Sequence, residues 1–244
     1  VTPRGGGTGL SGGAVPVHGG ILLSIENMDN ILEFDRENHI VVVEPGVITN
    51  DIAKMVEKEG LFYAGYPMSL QSCFIGGNIA ENAGGGKAIK YGVTGRYVMG
   101  LEFVFPSGEI VNLGGKTVKD VAGYDLKSLV VGSEGTLGVV TKAILKLLPL
   151  PKASAVLLAL FDDVKTAIAT VPKIMIGTGI IPTGIEYMDK QSVKASCDFL
   201  DVVPDNVATI DHAVSDRYTT EQYLATCYWG MPESAGWNEN PAIF

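Results

Sequence analysis

The chain has 244 residues, of which 46% are hydrophobic and 18% are charged, and its net charge is −9. This balance excludes global disorder, which needs low hydrophobicity and high charge, and the lack of a basic run argues against nucleic-acid binding. The longest strongly apolar stretch, 153–161, is far shorter than the roughly 20 residues of a membrane-spanning helix. We therefore expect a cytoplasmic protein with no transmembrane segment, for which membrane association through partners is left open.

Glycine is the unusual residue of this sequence. There are 31 glycines, 26 of them within residues 1–150, and they follow no triplet period. Glycine and proline together make up half of residues 1–20, so this opening segment is predicted to be a loop.

Strand-forming runs follow the opening loop. Residues 21–25 form the first, and the runs 31–34 and 40–43 flank a polar turn, which predicts a hairpin. Thr49 is predicted to N-cap a helix that ends at Gly60.

A second hairpin is predicted from the runs 98–105 and 110–113, because a Pro-Ser-Gly-Glu turn separates them. A short helix is expected over 123–130. Residues 136–148 are then predicted to be one long strand, since apolar and β-branched residues dominate this stretch.

The amino-acid composition changes at Pro149 and Pro151, because glycine is much less frequent beyond them. We therefore place a domain boundary at residues 150–152. Beyond it the sequence predicts two strand-then-helix units, 156–161 with 164–171 and 184–188 with 189–200. The predicted domains are 1–150, 151–210 as a partial second domain, and 211–244, which shows no periodicity and is left unassigned.

A G-x-G-x-x-G pattern occurs at Gly7, Gly9 and Gly12. A nicotinamide-binding Rossmann unit requires a helix to begin within these glycines, and the segment 12–20 cannot form that helix. The Walker pattern G-x-x-x-x-G-K-[ST] does not occur in the sequence either.

A loop rich in glycine can instead direct successive backbone N–H groups at a phosphate, with Arg4 adding charge and Thr8 and Ser11 adding hydroxyl donors. The alternative is a glycine-rich turn bent only for packing. Three further glycine clusters, at 75–86, 90–95 and 131–138, favour a site for an extended, flat ligand.

Five motifs carry a resemblance to a known family: PRGGGTGLSGGAVP, EPGV, IGGNIAENAGG, KYGVTG and GYDLKSLVVGSEGTLGVVTKAILKLLPLP, at 3–16, 44–47, 75–85, 90–95 and 123–151. In order and spacing they resemble the FAD-binding domain of the vanillyl-alcohol oxidase superfamily, in its group of glycolate oxidase flavin subunits and D-lactate and 2-hydroxyglutarate dehydrogenases. The resemblance covers residues 1 to about 200. It implies an α+β fold, a PCMH-type FAD-binding domain of two α+β subdomains followed by the start of a ferredoxin-like α+β cap domain.

The resemblance also implies which residues hold FAD. The first loop matches the segment around the pyrophosphate, a second group matches the ribityl and isoalloxazine region, and a third lies near the adenine. In that order they are Arg4, Gly5, Gly6, Gly7, Thr8, Gly9, Leu10 and Ser11; Pro67, Ser72, Gly76, Gly77, Asn78, Asn82 and Gly92; and Gly135, Val139 and Val140. Pro67 is equally suited to fixing a turn, and Val139 and Val140 to a buried strand. Glu134 is expected to hold a backbone amide or an arginine.

FAD is expected to be non-covalent, because Thr8 occupies the position of the histidine that some members link to flavin. Cys73 has no cationic neighbour in sequence and is predicted to be a buried or contact thiol. The three cysteines include no C-x-x-C pair, and His18 and His39 are predicted to be surface residues, so we assign no metal ligand and no catalytic residue.

The implied function is oxidation of a 2-hydroxyacid such as glycolate or D-lactate, by hydride transfer to flavin N5, with electrons passing to an external acceptor or partner redox subunits. The alternative is a non-catalytic or electron-relay FAD subunit of a larger oxidoreductase. A reductase of peptidoglycan-precursor synthesis is a third option, and the segment 132–141 argues against it. Relative to the family, an N-terminal strand and helix and the later cap are expected to lie outside this sequence.

Overall fold

The computed structural model describes residues 1–65, 67–189 and 191–192 and the backbone of 223–229. The chain divides into two compact units, Val1–Leu150 and Pro151–Phe244. The elements of the first unit are β1 (Thr2–Arg4), β2 (Leu22–Ser24), β3 (Ile31–Asp35), β4 (Ile40–Val43), α1 (Thr49–Glu57), β5 (Leu61–Phe62), α2 (Ile75–Glu81), α3 (Ala88–Tyr91), a 3-10 turn (Thr94–Arg96), β6 (Val98–Val104), β7 (Ile110–Gly114), α4 (Leu126–Val130), β8 (Val139–Lys146) and β9 (Leu148–Pro149).

A five-stranded antiparallel sheet forms the centre of this unit, in the order β3-β4-β8-β6-β7. Its two sequence-adjacent pairs, β3 with β4 and β6 with β7, are the two predicted hairpins. β4 is buried along its whole length. Val41 and Val43 join the main core with residues of α1 and α2, whereas Ile40 and Val42 pack with Met99 in a smaller cluster.

The glycine-rich segment is the connection between two short parallel strands. β1 pairs with β2 in the register Thr2↔Leu22 to Arg4↔Ser24, so the chain leaves the pair at Arg4 and returns to it at Leu22. The predicted loop is therefore held at both ends by the same small sheet.

The predicted start of α1 is wrong by one residue. Ile48 is the N-cap and Thr49 is the first helical residue, with no side-chain cap. The first amides of the helix need none, because Thr49 N–H donates to the Cys73 carbonyl at 3.1 Å and Asn50 N–H to the Leu70 carbonyl at 3.0 Å.

The predicted long strand 136–148 is also shorter in the structure. It begins at Val139, since Thr136 is held in a turn by its N–H bond to the Ser133 carbonyl at 3.0 Å, and Gly138 has a φ of +152°. It ends at Lys146, and the separate strand β9 pairs with β5.

The described part of the second unit contains β10 (Ala155–Phe161), α5 (Val164–Thr178), β11 (Gly184–Met188) and β12 (Tyr223–Trp229). β12 lies between β10 and β11 in an antiparallel sheet, within the segment that the sequence left unassigned. Asp163 caps α5 by accepting the Thr166 N–H at 2.8 Å, and the helix continues through Pro172 to Thr178, beyond the predicted end at 171.

The predicted helix 189–200 lies mostly outside the described residues. Among the helices that are described, none has the length and hydropathy needed to span a bilayer.

Candidate cofactor-binding cleft

A cleft of about 720 Å³ opens in the first unit, within the range of roughly 300–1,000 Å³ that small-molecule sites occupy. Four segments that are distant in sequence form its walls. They are the first glycine loop, residues 67–69, the helix α2 with the residues after it, and the stretch from 130 to 140. Three of the four glycine clusters of the sequence therefore contribute to one cavity.

The first glycine loop presents an uninterrupted run of free donors. Among the residues that the structure describes, no amide N–H of residues 5–13 donates a hydrogen bond to another protein group. The side chain of Arg4 lies against Gly7, which has a φ of +70°. Consecutive free N–H groups beside a guanidinium form a binding site for phosphate oxygens.

Close packing fixes the path of this loop and explains one of its glycines. A Cβ on Gly6 would lie 2.4 Å from the Ser72 carbonyl oxygen, closer than any larger residue allows. A Cβ on Gly5 would lie 3.4 Å from the Cα of Gly77, an ordinary van der Waals contact, so the loop also lies against α2.

The segment after α4 is attached to the end of α2. Gly132 N–H donates to the Ile79 carbonyl at 3.0 Å, and Glu134 N–H donates to the Ala80 carbonyl at 2.8 Å. The bond from Glu134 satisfies the Ala80 carbonyl, which the end of the helix leaves without a partner, whereas the Ile79 carbonyl also accepts the Asn82 N–H at 3.1 Å. The fourth and first walls meet as well, because a Cβ on Gly135 would lie 2.7 Å from the ring of Pro3.

Asn82 connects α2 to the third glycine cluster. It is the C-cap of the helix in the left-handed region, with a φ of +51°, and its Oδ1 accepts the Gly95 N–H at 2.8 Å. The buried hydroxyl of Thr94 lies 2.8 Å from the Ala83 carbonyl and 3.2 Å from the Gly65 carbonyl. Thr94 thus attaches Gly65, two residues before Pro67, to the segment that follows α2.

The charges that line the cleft are few. Of the described residues in its walls, Arg4 is the one cation, and Glu81 and Glu134 carry carboxylates. Glu81 ends α2 and its carboxylate lies against Gly9. Glu134 has a φ of +52° and contacts α2 through its backbone, whereas its carboxylate makes no hydrogen bond or ion pair with the described residues. Among the described residues, the prediction that Glu134 holds a backbone amide or an arginine is therefore wrong: the residue attaches to α2 through its own backbone N–H and not through its carboxylate.

Two tyrosines of the main core, Tyr63 and Tyr97, lie beside Gly65. Burial raises the pKa of Tyr97 to about 12, and its hydroxyl donates to the Tyr91 carbonyl at 2.7 Å. Burial also raises the pKa of Tyr63, whose hydroxyl has no hydrogen-bond partner among the described residues. Both phenols are therefore neutral at physiological pH and unsuited to act as bases.

The structure brings sixteen of the eighteen residues named from the sequence into this one cleft. The lining includes Arg4 and the residues from Gly5 to Ser11, together with Pro67, Gly76, Gly77, Asn78, Asn82, Gly135, Val139 and Val140. Val140 lines the cleft and, at 9% exposure, also belongs to the main core, as a buried strand residue would; its contact with FAD stays a prediction.

Ser72 and Gly92 do not line the cleft. Ser72 is exposed, its hydroxyl bonds to the Ser69 carbonyl at 3.3 Å, and its own carbonyl lies beside Gly6. Gly92 ends α3 with a φ of +78° and packs against the side chain of Arg96. Ser72 therefore contacts the first glycine loop from outside the cleft, and Gly92 contacts a residue that does not line it.

The sequence did not single out several residues of the lining, among them Ile25, Phe74, Glu81 and Phe103. Glu81 stands within the IGGNIAENAGG motif, so its position in the motif was a usable signal. Phe103 lies on β6, where nothing distinguishes a cleft residue from a core residue by sequence alone.

The sequence assigned no catalytic or metal-binding role to His18, His39 and Cys73. His18 is exposed and His39 is half-buried at the hairpin turn. Cys73 is buried at 2% exposure. Within the described ranges, no three side chains of His, Cys, Asp or Glu lie close enough to hold a metal ion.

Two family models match the chain: the FAD binding domain over residues 1–114, and the C-terminal domain of FAD linked oxidases over residues 150–227. The glycolate oxidase subunit GlcD of Bacillus subtilis is 50% identical over 199 residues, which are 82% of this chain and 42% of that protein. A D-lactate dehydrogenase of Anaerostipes hadrus is 43% identical over 200 residues, with the same two shares. The chain thus spans about two fifths of these relatives.

Among solved structures, an alkyldihydroxyacetonephosphate synthase matches with a TM-score of 0.76 at 24% identity. The match covers 95% of this chain and 43% of that one. At this identity the match concerns the fold.

Proposed function

The chain belongs to the FAD-linked oxidases, with a PCMH-type FAD-binding domain and FAD as the cofactor, and from this premise we propose that it oxidises a 2-hydroxyacid. The family matches confirm the resemblance that the glycine motifs carry. Relatives named glycolate oxidase subunit GlcD and D-lactate dehydrogenase support a substrate of the glycolate or D-lactate class.

The residues of the cleft fit FAD. A pyrophosphate needs several donors and positive charge, and the free N–H groups of residues 5–13 with Arg4 provide both. A flat ring system needs a wall without protruding side chains, and no atom from another described segment lies within 4 Å of the position that a Cβ on Gly77 would take. The run of free amides is the observation that carries the proposal.

In this proposal Arg4 and the loop 5–13 bind the pyrophosphate, and Pro67, Gly77 and Asn78 line the ring and ribityl region. Bound FAD would supply the two-electron acceptor, at N5, for the hydride that leaves C2 of the hydroxyacid as the hydroxyl proton is lost and the 2-oxoacid forms. The electrons then pass to an external acceptor. No side chain of the cleft is assigned to the proton transfer.

Anaerobic titration of the purified full polypeptide with glycolate and with each enantiomer of lactate tests the proposal. We expect the visible flavin absorption to bleach with glycolate or D-lactate and to stay unchanged with L-lactate. Flavin that is bound but not bleached by any 2-hydroxyacid would contradict the substrate class. Denaturation of the same sample should release the flavin into solution, because Thr8 stands where a linked histidine would be.

A second candidate is an FAD-carrying subunit that is reduced only within a larger complex. The name of the Bacillus subtilis relative, a subunit of glycolate oxidase, supports this alternative. The same titration separates the two functions, since here bleaching would appear only after partner subunits are added.

A further inference from the structure

Three buried polar groups meet behind the cleft wall. Thr49 begins α1, Asn78 lies in α2 and Cys73 precedes α2, and their exposed fractions are 0%, 3% and 2%. Buried polar groups are stable only when they are hydrogen-bonded. The way in which these three satisfy each other therefore fixes their orientation.

The hydroxyl of Thr49 is the centre of this group. Its Oγ1 accepts a hydrogen bond from Asn78 Nδ2 at 2.6 Å and from Cys73 Sγ at 3.4 Å, and it donates to the Cys73 carbonyl at 3.4 Å. A hydroxyl has one hydrogen and two lone pairs, so these contacts use all of its capacity. The bond from Asn78 is the shortest and the strongest constraint.

Asn78 is fixed at its backbone as well. Its N–H donates to the Phe74 carbonyl at 3.1 Å, and its carbonyl accepts the Ala83 N–H at 2.9 Å. With Nδ2 bound to Thr49, the planar amide leaves Oδ1 as the free end. This oxygen accepts no hydrogen bond from the described residues, and Asn78 lines the cleft.

We infer that Thr49, which does not line the cleft, is a positioning residue for the cofactor and acts through Asn78. By binding the NH₂ end of the amide, it presents the carbonyl oxygen to an N–H or O–H group of bound FAD. This inference rests on the proposed binding of FAD in the cleft. Without the hydroxyl, the two nearly isosteric ends of the amide can exchange places, and the cleft then meets a donor instead of an acceptor.

The first test is Thr49→Val in the full polypeptide, which removes the hydroxyl and keeps the shape of the side chain. We expect the dissociation constant of FAD to rise roughly tenfold, because an amide without its buried partner must be reoriented on binding. The visible absorption maxima of the bound flavin should shift. Thr49→Ser retains the hydroxyl and should restore both properties.

A double-mutant cycle separates positioning from general weakening of the fold. In an Asn78→Ala background, Thr49→Val should cause no further loss of FAD affinity, since Thr49 has no amide left to orient. Additive losses would overturn the inference. Ile52→Val is the matched control, because Ile52 lies in the same helix, is fully buried and cannot form a hydrogen bond with Asn78 through its side chain. This substitution should lower the stability of the protein without changing the spectrum of bound FAD.

A measurement on the wild-type protein covers the case in which Thr49→Val does not fold. The side-chain NH₂ of Asn78, followed by NMR, should exchange slowly with solvent both without and with FAD. Fast exchange without FAD would overturn the inference. If the wild-type protein binds no FAD, the proposed function fails; if it binds FAD and Thr49→Val binds it equally well, only the role of Thr49 fails.

Discussion

Gly77 shows what a single residue contributes to the cleft. It lies in α2, lines the cleft, and a Cβ at this position would meet no atom of a neighbouring segment within 4 Å in the part of the chain that the structure describes. The described protein therefore has room for a larger residue at this position. We propose that bound FAD occupies the space in front of Gly77.

We expect Gly77→Ala to weaken FAD binding at least tenfold while leaving the fold intact. Alanine stabilises a helix interior by roughly 0.5–1 kcal/mol relative to glycine, so the thermal midpoint without FAD should not fall. Flavin fluorescence titration and thermal unfolding measure the two effects.

Gly177→Ala is the matched control for this substitution. Gly177 is also a helical glycine, in α5, with no atom within 4 Å of its Cβ position, and it lies outside the cleft. It should show the same gain in helix stability and no change in FAD affinity. Equal affinity of Gly77→Ala and the wild type would show that the ligand does not contact this wall.

At the scale of elements, an ion pair joins β6 to β8 in the middle of the central sheet. Glu102 lies opposite Lys142 in the strand register, with Lys142 Nζ 3.0 Å from Oε2 and the Thr141 hydroxyl 2.9 Å from Oε1. The hydrogen bond from Lys142, followed by that from Thr141, lowers the pKa of Glu102. The folded state therefore favours the ionised carboxylate.

This lowered pKa predicts a dependence of stability on pH. The contribution of the Glu102 carboxylate to the free energy of unfolding is complete above the ordinary glutamate pKa, near 4.5. It is lost as the pH falls through the lower pKa of the folded state. Between pH 6 and pH 3 the wild type should lose about 0.5 kcal/mol more unfolding free energy than Glu102→Gln, since partly exposed pairs contribute little. Urea unfolding measures this difference.

Glu109→Gln provides the control for the pH series. Glu109 is exposed in the turn between β6 and β7, and its carboxylate forms no ion pair within the described part of the chain. Its pH profile should follow that of the wild type. If Glu102→Gln also follows the wild type, the ion pair does not contribute to stability.

At the scale of the whole molecule, every residue that lines the cleft belongs to the first of the two units. Binding of FAD should therefore slow amide hydrogen exchange in that unit, above all at residues 5–13, whose N–H groups have no protein partner among the described residues. At FAD concentrations of 100 times the dissociation constant we expect slowing of roughly 100-fold, because exchange then requires release of the ligand.

Mass spectrometry resolves this exchange by peptide. The turn 106–109 lies in the same unit outside the cleft and should exchange at the same rate with and without FAD. Peptides from α5 should also be unaffected. Protection elsewhere, with none at residues 5–13, would contradict the placement of the pyrophosphate.

Local patterns were sufficient for some elements and misleading for others. The two hairpins were predictable because two strand-forming runs and a turn signal lie within about fifteen residues of each other. The start of α1 was misplaced because the carbonyls of Leu70 and Cys73, some 20 residues away, replace the side-chain cap that Thr49 was expected to supply. The end of α5 was misplaced at Pro172, which the helix accommodates.

The sequence by itself determined the chemistry of the site: glycines where backbone N–H groups must be free, one arginine beside them, and motifs whose order identifies an FAD-binding domain. Only the tertiary structure decided that Ser72 and Gly92 stand outside the cleft, that Glu81 and Phe103 lie inside it, and that Thr49 holds Asn78. The reason is physical. Residue type sets what a group can donate, accept or leave open, whereas its partner is set by packing between segments far apart in the chain, such as Thr49 and Asn78 at a separation of 29 residues.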